Sequence, residues 1–153
     1  MELPGIQGLI PQVQAATTCA EVGQAAHTMV WSYRVYLVMT PQTHLTIAAD
    51  QETSLEATFV SLEPTLATAI QSAAATGQNV AAAQASYGDL VSKVTAAQSE
   101  TNGVSATVLA QTPAGSPGNW GVFTTARGSL TAAAGDLESA HTDALAIESD
   151  LTK

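Results

Sequence analysis

The segment from Val30 to Met39 is apolar at every position except Ser32 and Arg34. A helix with this pattern is apolar nearly all round, and such a helix must be buried on more than one side. The segment is far shorter than the roughly 20 apolar residues of a transmembrane helix, so no membrane insertion is expected. Its β-branched and aromatic residues make a β-strand the alternative. The helical spacing from Val22 to Met29 favours a helix that forms core or an interface.

Breaks in the sequence divide the chain into long helices. Thr18 and Glu21 have the spacing of a capping box. Thr40–Pro41 predicts a break, because the residue before proline avoids the helical conformation and proline suits the first position of a helix. Thr76–Gly77 and the segment 112–118 mark two more breaks. The predicted long helices span about residues 19–39, 41–76, 79–111 and 117–152, after a short amino-terminal segment at 1–17.

Apolar residues recur at helical spacing within these segments and predict the sides that face the core. The seam of the third segment is Val80, Ala83, Tyr87, Leu90, Val94, Ala97, Thr101, Val104 and Val108. Short connections between long helices predict an all-α fold, an elongated antiparallel up-down-up-down four-helix bundle that forms one domain over 1–153.

The predicted topology places the breaks at 40–41 and 112–117 at the same end of the bundle. Most aromatic residues then converge there, and ligand sites of bundles form between facing helices. The candidate ligand-binding residues at this aromatic end are Trp31, Arg34, Tyr36, His44, Asp50, Trp120 and Arg127.

Two charge pairs are predicted inside the bundle. Counting outward from the break at Thr40–Pro41 places Arg34 within reach of Asp50 on the next helix. The pair is interpreted either as a buried ion pair that fixes helix register or as part of a ligand site. The same count places Glu52 and Arg127 at matching depth, as a second core pair.

Charge excludes several classes of partner. Four Lys and Arg residues against thirteen Asp and Glu residues give a net charge of −9. No basic cluster is present to neutralise a phosphate backbone or to bind an anionic membrane, so nucleic acid is not an expected partner. Cys19 is the only cysteine, which excludes an intrachain disulfide. The first residues lack the features of a secretory signal, which predicts either a cytosolic protein or one whose signal has been removed.

Catalytic and metal-binding motifs are not found. His27, His44 and His141 stand at different depths, and no Glu-x-x-His pattern of di-iron bundles accompanies them. Met29 and Met39 do not match a histidine in depth as haem ligands, and no Cys-x-x-Cys-His is present. The chain also lacks nucleophile elbows and Gly-rich phosphate loops. We therefore expect a non-enzyme with no catalytic residue, metal or cofactor.

Two stretches carry a resemblance to known proteins: YRVYLVMTPQTHLTIAAD at 33–50 and NWGVFTTARGSLTAAAGDL at 119–137. Together they make the chain resemble a group of uncharacterised, usually secreted actinobacterial helical proteins. The resemblance implies an extracellular or cell-envelope setting and implies no chemistry.

Three hypotheses for function follow. The first is a binding or interaction module that acts through the aromatic end. The second is a structural or self-assembling protein, a homo-oligomer that uses the apolar face of Val30 to Met39, unless the segment from Ile6 to Val13 folds back over that face. The third is ice binding by a row of residues spaced by eleven, namely Thr43, Ser54, Thr65 and Thr76.

Overall fold

The structure, a computed structural model, describes residues 3–32 and 35–152. These residues are helical almost throughout and include no strand, so the prediction of an all-α fold is confirmed and the strand alternative for the segment near Val30 is not found. The elements are α1 (Leu3–Gln7), α2 (Leu9–Ala15), α3 (Cys19–Trp31), α4 (Val35–Ala75), α5 (Ala81–Thr101), α6 (Val104–Leu109), a 3-10 turn (Pro113–Gly115) and α7 (Trp120–Leu151).

The predicted capping box begins α3. The Thr18 hydroxyl accepts a hydrogen bond from the Glu21 backbone N–H, and the Glu21 carboxylate accepts one from the Thr18 backbone N–H at 3.0 Å. These two bonds satisfy backbone donors that a helix start leaves unpaired. The backbone N–H groups of Thr17, at 2.7 Å, and of Thr18 donate to the Glu21 carboxylate and lower its pKa. The local signal at this position is therefore confirmed.

The predicted break at Thr40–Pro41 is wrong. Pro41 lies inside α4, which runs without interruption for 41 residues and also contains Pro64. Val38 and Leu45, on either side of Pro41, are both buried against α6 and α7. Their burial offsets a local cost of about 3 kcal/mol for proline in a helix interior. The helix predicted at 19–39 therefore ends at Trp31, and residues from Val35 onward belong to the next helix.

This correction predicts that Pro41→Ala stabilises the protein by about 1–3 kcal/mol. Alanine restores the N–H that can bond to the Leu37 carbonyl and removes the clash of the ring with that carbonyl. Denaturant unfolding monitored by circular dichroism measures the change. Pro113→Ala is the control, because Pro113 occupies the first position of the 3-10 turn, where proline fits. Equal or lower stability of Pro41→Ala would mean that a helix begins at Pro41 after all.

The three long helices α4, α5 and α7 pack against one another. Gly77, with φ of 87°, ends the turn after α4 and confirms the stop predicted at Thr76–Gly77. The Lys93 ammonium contacts the Asp136 carboxylate at 3.0 Å across α5 and α7, which run antiparallel. The segment predicted as one helix at 79–111 is divided at Asn102 and Gly103, where Gly103 has φ of 75°. The up-down-up-down arrangement of four helices is not confirmed, because α3 contacts α2 and α4 rather than lying along all three long helices.

The buried side chains form two clusters along the bundle. The α5 core consists of Phe59, Ile70, Val80, Ala83, Leu90, Val94, Ala97, Ala133, Leu137, Ala140 and Ile147. The α6 core consists of Val38, Leu45, Ala49, Val104, Val108, Phe123, Ala126 and Leu130. Both α4 and α7 contribute to both clusters. Their residues in the α6 core come from their amino-terminal halves, so this core holds those halves together.

Candidate functional site

Large apolar side chains are exposed at the end of the molecule where α3 ends and α4 and α7 begin. On α4, Met39 is 54% exposed and Ile47 is 51% exposed. We call this surface the apolar end; its members are Val30, Trp31, Tyr36, Leu37, Met39, Ile47, Leu109 and Trp120. Apolar surface of this kind, when it is contiguous, marks an interaction site in soluble proteins.

Two shallow grooves follow α4 within the apolar end. One has a volume of about 400 Å³ and is lined by Tyr36, Met39, Thr40, Thr43 and His44. The other has a volume of about 290 Å³ and is lined by Met39, Gln42, Thr43, Thr46, Ile47 and Leu109. Because both grooves include Met39 and Thr43, they form one continuous surface.

The side chain of Gln42 holds α6 against α4 at this surface. Its amide nitrogen donates hydrogen bonds to the carbonyl oxygens of Val108, at 3.0 Å, and Gln111, at 2.7 Å. The last carbonyls of a helix have no partner within the helix, so the amide satisfies groups that would otherwise need water. The bond from Asn119 to the Thr112 carbonyl, at 3.1 Å, then closes the loop from which α7 starts.

Of the candidate ligand-binding residues, the structure brings Tyr36 and His44 together, since both line the larger groove on α4. Trp31 lies on α3, where its ring stacks on His27 with 5.9 Å between ring centroids. Trp120 is exposed at the start of α7. Two of the four described aromatic and imidazole candidates, Trp31 and Trp120, therefore lie on other helices and do not line the groove that Tyr36 and His44 share.

The hairpin that was expected to bring Arg34 opposite Asp50 does not form. Val35 and Asp50 belong to one continuous helix and lie about 22 Å apart along its axis at 1.5 Å per residue. Asp50 is exposed. Arg34 itself lies outside the described residues.

The predicted core pair of Glu52 and Arg127 is wrong. Arg127 is exposed, and no ion pair joins the two described side chains. Glu52 instead faces another acid: burial raises its pKa, and the Glu56 carboxylate one turn away on α4 raises it further. The acid in the apolar seam of α4 thus lies beside a second acid and does not take part in a salt bridge with another described side chain.

Sequence reasoning missed Glu56, which is buried between α4 and the junction of α5 with α6. Its carboxylate accepts a hydrogen bond from the Thr101 hydroxyl at 2.8 Å. It also lines a pocket of about 430 Å³. The spacing of Glu52 and Glu56 by one helical turn was the available signal, because residues four apart lie on the same face of a helix.

A further cavity was also not predicted. It has a volume of about 620 Å³ and lies between α7 and the junction of α5 with α6. Small residues line it, and Glu100 is the one ionisable side chain among them. It lies at the level of Gly103 and Thr125, away from the grooves on α4.

Residues 3–32 and 35–152 contain neither a metal-binding cluster nor a membrane-spanning helix. In that part of the chain, no three His, Cys, Asp or Glu side chains converge on a position for a metal ion. None of the described helices combines the length and hydropathy that a membrane crossing requires. The row of residues proposed to bind ice does not lie on one helix. Thr43, Ser54 and Thr65 are exposed on α4, whereas Thr76 lies in the turn after α4.

The fold and these surfaces define an all-α protein with an exposed apolar end and a separate pocket that contains a buried acid. Comparison of the chain with protein-family models, with curated proteins and with solved structures finds no match.

Proposed function

We propose that this protein is a non-enzymatic interaction module of the cell envelope or extracellular space, which binds through its apolar end, and that a second copy of the chain covers this surface. The observation that carries the proposal is the stripe of exposed apolar residues on α4 with the grooves beside it. The extracellular setting is supported by the resemblance of 33–50 and 119–137 to secreted proteins. The non-enzymatic assignment is supported by the lack of catalytic motifs in the sequence.

The area of exposed surface is large enough for a dimer. The chain has an accessible surface of 9120 Å², whereas a compact monomer of its mass exposes roughly 7,200 Å². The excess is roughly 1,900 Å², and each partner in a standard interface buries about 800 Å². A symmetric dimer of standard size would bury about 800 Å² of accessible surface on each partner, less than this excess. In such a dimer the amino-terminal half of α4 gains the helical neighbour that a four-helix bundle would have given it.

The distribution of charge favours a second copy at this end. Between Glu21 and Asp50 the chain contains no acid, although its net charge is −9. Two identical acidic chains repel each other, and the repulsion is smallest where their acid-free regions meet. A C2 dimer uses the same patch on both copies, which a neutral apolar patch can satisfy without charge complementarity.

The amino-terminal helices do not cover the apolar end. The segment from Ile6 to Val13 lies in α1 and α2, and α2 packs against α3. Ile10 and Val13 are themselves exposed. The fold-back that would have hidden the apolar face within one chain therefore does not account for Met39 and Ile47.

Sedimentation equilibrium from micromolar to millimolar protein tests the proposal, with Met39→Glu and Ile47→Glu as variants. We expect each variant to weaken the dimer by about tenfold or more, because an unpaired carboxylate in an apolar interface costs more than about 1.4 kcal/mol. Leu145→Glu is the matched control, since Leu145 is 52% exposed near the other end of α7 and the substitution adds the same charge. It should leave the dimer unchanged.

Salt provides an independent readout. Screening of the repulsion between two acidic chains should strengthen association as ionic strength rises. A wild-type protein that is monomeric at every concentration and salt would overturn self-association and leave a different protein as the occupant. Equal weakening by Leu145→Glu would show that net charge, not the apolar end, controls association.

A further inference from the structure

Glu56 is the one ionisable residue that is buried among the residues the structure describes, with 5% of its surface exposed. It lies on α4 between Ala49 of the α6 core and Phe59 of the α5 core. Its only hydrogen bond from a described group comes from the Thr101 hydroxyl, which approaches the Oε1 atom at 2.8 Å. Thus one carboxylate oxygen has a protein donor and the other has none.

The carboxylate lacks a positive partner. No Lys, Arg or His of the described chain forms an ion pair with Glu56, and Lys93 is already bound to Asp136. Burying a charge without a partner is costly, and natural proteins compensate such a charge with a counter-ion or with several hydrogen bonds. A single hydroxyl donor is little compensation.

The remaining space around Glu56 is lined by both apolar and polar groups and is open to a small molecule. The pocket of about 430 Å³ falls in the size range of small-molecule sites. It lies at the break between α5 and α6, where Gly103 has φ of 75°. Its neutral polar side chains are Thr53 on α4 and Gln98, Thr101, Asn102 and Ser105 around the break.

We propose that this pocket binds a small organic cation through a primary ammonium group, with Glu56 as the counter-ion. A primary ammonium has three N–H donors and no acceptor, which matches a site with one carboxylate and several hydroxyl and amide oxygens. A metal ion fits less well, because calcium takes six to eight oxygen ligands with carboxylates among them, and no cluster of three acids or histidines is found in the described chain.

Titration of the full chain with n-propylammonium chloride tests this site, followed by amide chemical shifts in NMR spectra. We expect saturable binding in the millimolar range, with the largest shifts around Thr53, Asn102 and Ser105. Glu56→Gln keeps the side-chain shape and an oxygen for Thr101, and it should weaken binding by about tenfold or more because it removes the charged acceptor. Glu63→Gln is the matched control: it makes the same charge change two turns further along α4, outside the pocket, and should not alter affinity.

A second variant and a second ligand test the site independently of Glu56→Gln. If Glu56→Gln fails to fold, Thr53→Phe narrows the pocket from an exposed position and should also abolish binding. Choline carries the same charge without N–H donors and should bind more weakly than n-propylammonium. Absence of saturable binding, equal affinity of wild type and Glu56→Gln, or equal affinity for choline would each overturn the assignment. The cation site does not rest on self-association, although Ala49 of the pocket lies within one turn of Ile47 of the apolar end on α4.

Discussion

Phe123→Ala lowers the free energy of unfolding by about 3–5 kcal/mol, the usual cost of deleting a buried aromatic ring. Phe123 is buried in the α6 core, where it joins Val38 and Leu45 of α4 to Val108 of α6. The ring is the largest side chain of that cluster, and rigid helices on three sides limit how far the cavity can collapse. Denaturant unfolding measures the loss as a lower midpoint, with an unchanged dependence of the free energy of unfolding on denaturant concentration.

Trp120→Ala is the matched control for this substitution. Trp120 lies one turn earlier on α7 and is 52% exposed. Its removal should change stability by less than about 1 kcal/mol. It should instead weaken self-association, because Trp120 belongs to the apolar end. If both substitutions destabilise the monomer equally, the orientation assigned to the start of α7 is wrong.

Leu90→Ala lowers the free energy of unfolding by about 2–5 kcal/mol. Leu90 is fully buried in the α5 core, together with Val94 and Leu137. Alanine leaves a cavity between α5, α4 and α7, and its cost adds to the lost transfer free energy of the leucine side chain. Thermal and denaturant unfolding should both report the loss.

Leu145→Ala is the matched control for Leu90→Ala, because it removes the same atoms from a different environment. Leu145 is on α7 and half exposed, so Leu145→Ala should cost less than about 1 kcal/mol. Similar losses at Leu90 and Leu145 would contradict the assignment of α5 as the central helix of its core.

The two cores and the proposed cation site are linked by their order along α4. Ala49 belongs to the α6 core and Phe59 to the α5 core, and Glu56 lies between them, where α5 also breaks. Apolar packing is therefore interrupted at one level of the bundle. Polar groups occupy that level, which explains why a pocket with hydrogen-bonding side chains forms there rather than in either core.

Periodicity and capping determined the helical character of this chain and the inner face of α5. Eight of the nine residues of the predicted seam are buried: Val80, Ala83, Leu90, Val94, Ala97, Thr101, Val104 and Val108. The ninth, Tyr87, is partly buried against the α5 core. The seam is reliable here because α5 and α6 are covered by α4 and α7, so every position at helical spacing meets another helix. Thr18 with Glu21 and Gly77 were predictable for a different reason, since caps and stops depend on neighbours in sequence.

The seam of the first segment failed where no helix covers it. Val22 follows the same spacing, yet it is exposed on α3. Periodicity indicates that a helix face is apolar, but it does not indicate which other helix, if any, packs against that face. In this chain the uncovered face adjoins the apolar end, where we propose an interface rather than a core.

What only the tertiary structure decided is the course of the chain at Pro41 and the partners of the charged residues. The local preference of Thr40–Pro41 is for a break, but the burial of Val38 and Leu45 against α6 and α7 outweighs it, and α4 continues. Once α4 is continuous, the depths counted from that break no longer apply. Arg127 is then exposed and forms no ion pair with Glu52, and Glu56 meets Thr101 across 45 residues of sequence. Contacts between distant residues depend on where helices begin, and here the free energy of burial, not local preference, set that position.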